Sequence, residues 1–190
     1  MRLGIFGGSF DPPHVGHLLV AVDSYEQLGL DRLVFVPAAM QPLKVNRSAA
    51  SPADRLELVR LLVGQDPRFE VDPVEIERRG LSYTVDTLET YARRFPDAER
   101  FFLIGSDALE TFGAWREPDR ILGLAGLVVL RRPGSPPGAA TVPRGARTLV
   151  TRLVDVSSTE VRERIRAGKS IRGFVPESVA EFIDSKRLYR

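Results

Sequence analysis

The stretch that decides the fold is Gly4-Ile5-Phe6-Gly7-Gly8-Ser9-Phe10-Asp11-Pro12-Pro13-His14-Val15-Gly16-His17. Its first residues belong to an apolar segment, Arg2–Phe6, which is predicted to be a short buried strand. From Val15 the pattern changes to helical spacing, and Gly29 stands where that helix would end. The stretch therefore predicts a strand, a glycine-rich turn and a helix in immediate succession. In an open α/β sheet, the first turn of this kind is where ligands are expected to bind.

Apolar strand-like segments alternate with amphipathic helices along the rest of the chain. The predicted strands are Leu33–Val36, Phe69–Val71, Phe101–Ile104, Leu127–Leu130 and Thr148–Val154. The predicted helices are Ser51–Gly64, Tyr83–Phe95, Ser158–Ala167 and Pro176–Ser185, and Pro133–Gly145 is predicted to be a loop. Such alternation favours a parallel sheet covered by helices on both faces. We predict one domain over residues 1–190, with a three-layer, Rossmann-like α/β fold.

Composition excludes several classes of protein and several kinds of site. The 190 residues are 43% hydrophobic and 27% charged, so disorder, collagen and coiled coil are excluded for the whole chain. No apolar run approaches the length of about 20 residues needed to cross a bilayer. There are no cysteines, so disulfides and thiolate metal sites are excluded, and a cytoplasmic location is expected. We expect no membrane or nucleic-acid partner; the oligomeric state stays open, homo-oligomers included.

The net charge of +2 is unevenly distributed. Residues 131–190 contain 13 Lys and Arg against 6 Asp and Glu, whereas the preceding part of the chain is acidic. A basic segment suits an anionic ligand. On charge alone, a solvated basic face explains the same pattern equally well.

The two histidines of the chain, His14 and His17, both lie in the glycine-rich turn. At positions i and i+3 of a helix start they share one face, and Gly16 between them leaves room for a ligand. Two imidazoles beside a helix N-terminus can both donate hydrogen bonds to phosphate oxygens. A zinc site completed by Asp11 and a purely structural pair remain as less favoured alternatives.

A second candidate anion site is the segment Val156-Ser157-Ser158-Thr159-Glu160-Val161-Arg162-Glu163-Arg164. Ser157 and Glu160 have the spacing of a capping box, which by itself only predicts the start of a helix. Successive hydroxyls and free backbone N–H groups at a helix N-terminus can also bind an anion, and Arg162 lies one turn further on. Together with the first turn, this segment would provide two contacts to one polyphosphate.

These motifs resemble those of a known enzyme family. Residues 7–17 are similar to the HxGH signature of the nucleotidylyltransferase superfamily, and residues 157–162 resemble its ISSTxxR motif. The intervening motifs resemble those of bacterial nicotinate mononucleotide adenylyltransferases: residues 41–44, 82–84, 104–107, Trp115, 131–134 and the final Leu188-Tyr189-Arg190. One departure is Leu43, where the family has histidine before the basic residue, here Lys44. The resemblance covers essentially the whole chain.

The resemblance implies a reaction and a set of site residues. AMP would be transferred from ATP to nicotinate mononucleotide, giving deamido-NAD and pyrophosphate, with Mg²⁺ accompanying the ATP and no dedicated protein metal site. His14, His17 and Arg162 would be catalytic. The residues implied to bind ATP are Gly7, Gly8, Ser9, Phe10, His14, Gly16, His17, Gly105, Asp107, Ser157, Ser158, Thr159 and Arg162.

The residues implied to bind the mononucleotide are Lys44, Ser82, Tyr83, Thr84, Trp115 and Arg116. Trp115 would stack on the pyridine ring, although simple core packing is the alternative for this side chain. Backbone N–H groups of the segment 107–115 would select the nicotinate carboxylate. Two other functions stay open at this point: a relative with another acceptor, such as phosphopantetheine adenylyltransferase, and a non-catalytic nucleotide-binding regulator.

Overall fold

The computed structural model describes residues 1–42, 49–131, 142–152 and 154–190. Its strands are β1 (Arg2–Gly8), β2 (Arg32–Pro37), β3 (Phe69–Val71), β4 (Glu99–Gly105), β5 (Gly126–Arg131) and β6 (Arg147–Val150). Its helices are α1 (Val15–Leu28), α2 (Pro52–Val63), α3 (Val74–Arg78), α4 (Thr84–Arg94), α5 (Ser106–Glu110), α6 (Pro118–Leu124), α7 (Ser158–Arg166) and α8 (Glu177–Ser185). A turn of 3₁₀ helix, Phe112–Ala114, follows α5.

The six strands form one parallel sheet in the order β3-β2-β1-β4-β5-β6. The chain builds outward from β1 to β3, then crosses back and builds outward from β4 to β6. The change of direction therefore falls between β1 and β4, whose carboxyl ends lie side by side. A crevice at this point is the usual ligand site of such a sheet.

Side chains alternate between the two faces of the central strand, because successive residues of a strand point to opposite sides. Leu3 and Ile5 pack on one face with residues of α3, α4 and α6. Phe6 packs on the other face with residues of α1, α2, α7 and α8. The predicted three-layer architecture is therefore confirmed.

Local signals placed two helix boundaries correctly. The Ser51 hydroxyl accepts a hydrogen bond from the Asp54 N–H at 3.1 Å and caps α2, with Pro52 at its first position. Gly29 ends α1 in the left-handed conformation, at φ 56°, which glycine adopts without the steric penalty of a side chain.

The prediction of a strand over Thr148–Val154 was wrong in extent. β6 ends at Val150, and only the N–H of Thr151 continues the pairing, by donating to the carbonyl of Arg131 at 3.0 Å. The N–H of Arg152 instead donates to the carboxylate of Asp23, 2.7 Å away on α1. A buried carboxylate from another element thus ends this edge strand.

Three short helices, α3, α5 and α6, were not predicted, because five to seven residues are too few for a helical period to emerge. Residues 133–141 of the predicted loop 133–145 lie outside the described residues. Among the helices that the structure does describe, none combines the length and apolar character required to cross a membrane.

Candidate active site

A cavity of about 900 Å³ opens at the carboxyl ends of β1 and β4. All the residues implied to bind ATP line it, from the turn after β1, from residues 105–107 after β4 and from the start of α7. A side chain at several glycines of the cavity wall would press against a neighbouring side chain. A Cβ on Gly16 would lie 3.0 Å from the His14 ring, and one on Gly105 would lie 2.5 Å from the Asp107 carboxylate. At Gly16, therefore, the space is taken by the neighbouring imidazole.

The two predicted phosphate motifs are bonded directly to each other. The Ser158 hydroxyl donates to the carbonyl of Pro12 at 2.8 Å, and the Arg162 guanidinium donates to the carbonyl of Asp11 at 2.7 Å. Both bonds join residues about 150 positions apart in sequence to one short turn. The turn after β1 and the N-terminus of α7 consequently form one wall of the cavity.

The turn that carries the two histidines is packed against aromatic rings and is not exposed. His14 is 8% exposed, and the His17 ring lies 3.8 Å from the His14 ring and 5.1 Å from the ring of Phe10, measured between centroids. Phe10 itself has a left-handed backbone (φ 50°), and its buried ring packs among Phe6, Phe35 and His17. Aromatic packing around the turn therefore fixes the positions of both imidazoles.

The geometry of His17 determines which of its nitrogens can donate. The backbone N–H of His14 donates to Nδ1 of His17 at 3.2 Å, so Nδ1 is an acceptor. Burial lowers the pKa of His17 well below its usual value, and the nearby His14 lowers it further. The ring is therefore neutral near pH 7, with its proton on Nε2. His17 lines the cavity and offers this Nε2–H as a fixed hydrogen-bond donor.

The N-terminus of α7 holds one half of the predicted capping box. The Ser157 hydroxyl accepts from the N–H of Glu160 at 3.1 Å. Arg162, one turn further, also donates to the Thr159 hydroxyl at 3.1 Å, so its guanidinium is held by two separate partners. Hydroxyls, a helix N-terminus and a fixed cation converge here, which is chemistry suited to a phosphate group.

We expect Arg162→Ala to weaken ATP binding by about 1.5–3 kcal/mol, the usual contribution of a hydrogen bond to a charged group. Because Arg162 also anchors the Asp11 carbonyl, kcat should fall as well, whereas mononucleotide affinity should change little. Calorimetry with each ligand measures both effects. Arg164→Ala is the matched control, since Arg164 is on the same helix but bonds to Ser170 and lies over Phe174. Equal losses for both ligands would give Arg162 a purely structural role.

Asp11 is a further site residue whose role the sequence did not predict. Its carboxylate accepts from the N–H groups of Ala49 and Ala50 at 2.7 and 3.2 Å, and from the Tyr189 hydroxyl at 2.8 Å. Burial and the neighbouring carboxylate raise the pKa of Tyr189, so its hydroxyl remains a donor. With both carboxylate oxygens engaged, Asp11 is not placed to complete a zinc site with the histidines.

Lys44 lies outside the described residues, and the other residues implied to bind the mononucleotide lie outside the lining of this cavity. Ser82 is buried, and its hydroxyl accepts from the N–H of Ala39, a cavity residue, at 2.9 Å. Thr84 begins α4. The Arg116 guanidinium lies over the Tyr83 ring at 5.0 Å. Ser82, Tyr83, Thr84 and Arg116 thus form a group beside the cavity.

Trp115 is half-buried and packs against Phe102 and Phe112, so part of its ring belongs to the core.

In the segment 107–115, the backbone N–H groups of Thr111, Ala114 and Trp115 donate to carbonyls within the segment. They are not free to select a carboxylate. Other N–H groups nearby have no acceptor among the described residues: those in the first turns of α4 and α5, which include Asp107 and Ala108, and that of Arg116.

Arg55 was also missed, although the sequence held a signal for it. The side chain is 1% exposed and lines the cavity, and burial lowers its pKa while Asp11 partly offsets that effect. It shares the buried face of α2 with Leu58, Val59 and Leu62. An arginine at this spacing within an apolar stripe indicates a buried cation with a specific partner.

Comparison with known proteins agrees with the geometry. The cytidylyltransferase-like family model matches residues 5–164. A relative from Gemmatimonas aurantiaca named "Probable nicotinate-nucleotide adenylyltransferase" is 52% identical, with 100% of this chain and 93% of the relative covered. A Thermus thermophilus protein of the same name is 46% identical, with both chains covered in full.

Solved structures share the fold at low sequence identity. Plasmodium falciparum nicotinic acid mononucleotide adenylyltransferase complexed with NaAD is similar with a TM-score of 0.80 and 17% identity, over 99% of this chain and 97% of that one. The same enzyme complexed with APC gives a TM-score of 0.78. Family model, full-length relatives and fold lead to one conclusion: the chain belongs to the cytidylyltransferase-like family and, within it, to the bacterial nicotinate-nucleotide adenylyltransferases.

Proposed function

We propose that this protein transfers the adenylyl group of ATP to nicotinate mononucleotide, a step of NAD biosynthesis. An oxygen of the mononucleotide phosphate forms a bond to the α-phosphorus of ATP. The bond from that phosphorus to the oxygen bridging to the β-phosphorus breaks, and pyrophosphate leaves with the electron pair. The observation that carries the proposal is the direct bonding of the two phosphate motifs into one wall of the cavity, by Ser158 to Pro12 and Arg162 to Asp11.

Catalysis in such a site consists of positioning and charge stabilisation, because a phosphate nucleophile is already anionic near neutral pH. His17 donates from Nε2 to an oxygen of the transferred group, and His14 lies beside it in the same wall. Ser158, Thr159 and Arg162 bind the β- and γ-phosphates at the N-terminus of α7. The N–H groups around Thr84 and Arg116 take no part in these contacts with ATP, and they would bind the mononucleotide.

The cavity also fits the proposed Mg²⁺. Among the described residues, no group of three or more His, Cys, Asp or Glu side chains is placed to hold a metal. The Asp11 carboxylate already accepts three hydrogen bonds from the protein, and Asp107 is the other carboxylate among the described cavity residues. This donor set fits an ion held mainly by phosphate and water oxygens, as Mg²⁺ prefers. When bound with ATP, the ion neutralises phosphate charge.

We also propose that the reaction takes place in the cytosol.

An acceptor panel tests the function. Purified protein is incubated with ATP, Mg²⁺ and one acceptor at a time, and pyrophosphate release is measured alongside the new dinucleotide. We expect rapid release with nicotinate mononucleotide and little with phosphopantetheine. Rapid release with phosphopantetheine alone would assign the chain to a different acceptor. Nucleotide binding without any pyrophosphate release would make it a regulator on the same fold.

A further inference from the structure

The buried guanidinium of Arg55 is held in an unusual way. Arg55 lies in the first turn of α2, and its side chain is 1% exposed. A buried cation is normally retained only when a carboxylate or a set of hydrogen bonds compensates for its lost hydration. Among the residues that the structure describes, none forms an ion pair with Arg55. Its two terminal nitrogens instead donate to backbone carbonyls, and its Nε has no partner there.

The two carbonyls belong to different loops. Nη1 donates to Ser9 at 2.7 Å, in the turn that lines the ATP side of the cavity. Nη2 donates to Ala39 at 2.9 Å, in the segment after β2. Arg55 therefore bridges the ends of β1 and β2 through one planar group.

The segment after β2 is in turn bonded to the predicted mononucleotide side. The N–H of Ala39 donates to the Ser82 hydroxyl at 2.9 Å, and the N–H of Ser82 donates to the carbonyl of Met40 at 2.8 Å. Ser82 is two residues before Thr84, the first residue of α4. A continuous series of hydrogen bonds thus runs from Ser9 through Arg55 and Ala39 to Ser82.

We propose that Arg55 is a positioning residue that sets the separation between the wall binding ATP and the wall binding the mononucleotide. The role rests on the function proposed above. In-line attack requires the acceptor oxygen to lie close to the α-phosphorus and opposite the leaving oxygen, and displacements of about 1 Å reduce rates by about 10²-fold. A guanidinium can bond two carbonyls in a fixed plane, whereas an ammonium is a single point donor.

The test is Arg55→Lys, which keeps the charge and the apolar stem but not the planar fork. We expect kcat to fall about 30-fold while KM for each substrate changes less than about threefold. The dinucleotide product spans both walls, so its Kd should rise about tenfold. A non-hydrolysable ATP analogue and the mononucleotide each contact one wall. Their Kd values, measured separately, should change less than about threefold. If Arg55 only stabilised the fold, its replacement would weaken the binding of the product and of each separate ligand by similar factors.

Two further variants complete the experiment. Arg55→Met removes the fork and the charge together and should give the same pattern, because the bridge is lost in both. Arg60→Lys is the matched control, since Arg60 is exposed on the same helix and pairs with Glu57 at 3.5 Å; it should behave as the wild type. All rates are normalised to the folded fraction from urea unfolding.

Two results would overturn the proposal. One is product affinity and kcat within threefold of wild type in Arg55→Lys or Arg55→Met. The other is an equal loss of affinity for product and for each separate substrate, which would assign Arg55 to stability alone. Wild-type protein that makes no dinucleotide would overturn the proposed function instead. The two failures are therefore distinguishable.

Discussion

Replacing His17 with asparagine is expected to lower kcat about 10²- to 10³-fold, the usual effect of removing one donor aimed at developing negative charge. His17 is neutral, and its Nδ1 already accepts from the His14 N–H, so Nε2–H is the donor it contributes to the cavity. This donor is held by the rings of Phe6, Phe10 and His14 and needs no reorganisation during reaction. A reduction of this size corresponds to about 2.7–4 kcal/mol of transition-state stabilisation.

Asparagine is the sharper substitution because its amide can still accept from the His14 N–H while lacking a donor at the Nε2 position. Alanine should lower kcat by at least as much, but it also leaves that N–H without a partner and empties space among buried rings. Steady-state rates at saturating ATP and mononucleotide measure the effect, with urea unfolding as the control for folding. A folded His17→Asn protein with wild-type kcat would remove His17 from the mechanism.

The second large effect concerns the acceptor: kcat/KM for nicotinate mononucleotide should exceed that for the amide by about 10²-fold or more. The two substrates have nearly the same shape, so an apolar pocket could not separate them by volume. They differ because the carboxylate only accepts hydrogen bonds, whereas the amide nitrogen only donates them. In a pocket whose N–H groups face both carboxylate oxygens, the NH₂ group of the bound amide would face one of those N–H groups. Two hydrogen-bond donors without an acceptor between them weaken binding in a buried site.

The structure narrows the set of predicted donors. The N–H groups of Thr111, Ala114 and Trp115 are used within their own segment, whereas those of Asp107 and Ala108 at the start of α5, the first turn of α4 at Thr84 and the N–H of Arg116 are available. The Arg116 guanidinium over Tyr83 adds positive charge beside them, although Asp86 and Glu117 share it. These positions favour a carboxylate over an amide.

Kinetics with both mononucleotides at fixed ATP give the ratio directly, and about 10²-fold corresponds to 2.7 kcal/mol. KM for ATP, measured with each acceptor, is the internal control, because the ATP wall is the same in both cases. A ratio near one would place the chain among enzymes that accept both substrates.

Local sequence signals were sufficient for most of the sheet, for the long helices and for the two motifs that meet at the cavity. Each of those features rests on residues close together in the chain, such as Ser51-Pro52 before α2 or the glycine-rich turn before α1. Arg55 was readable in principle from its place in an apolar stripe. Its two carbonyl partners were not, because Ser9 and Ala39 are 46 and 16 positions away.

The contacts of Asp11 show the same limit more strongly. Tyr189 is 178 positions from Asp11, and no periodicity or spacing encodes that hydrogen bond. The packing of Phe10 against Phe35 and the hydrogen bond from Ser158 to Pro12 likewise join the histidine turn to distant parts of the chain. What the sequence could not provide was the set of contacts that only tertiary packing defines.

The bonds that join Pro12 and Asp11 to Ser158, Arg162 and Tyr189 also set a time order during synthesis. The ribosome makes the histidine turn 146 residues before Ser158, 151 before Arg162 and 178 before Tyr189, counted from their bonding partners in the turn. At about 5–20 residues per second, the turn waits several seconds or longer for them. The nascent protein can assemble the inner strands before it has a working phosphate site. Activity is therefore acquired only once α7 and Tyr189 bond to a turn that was made well before them.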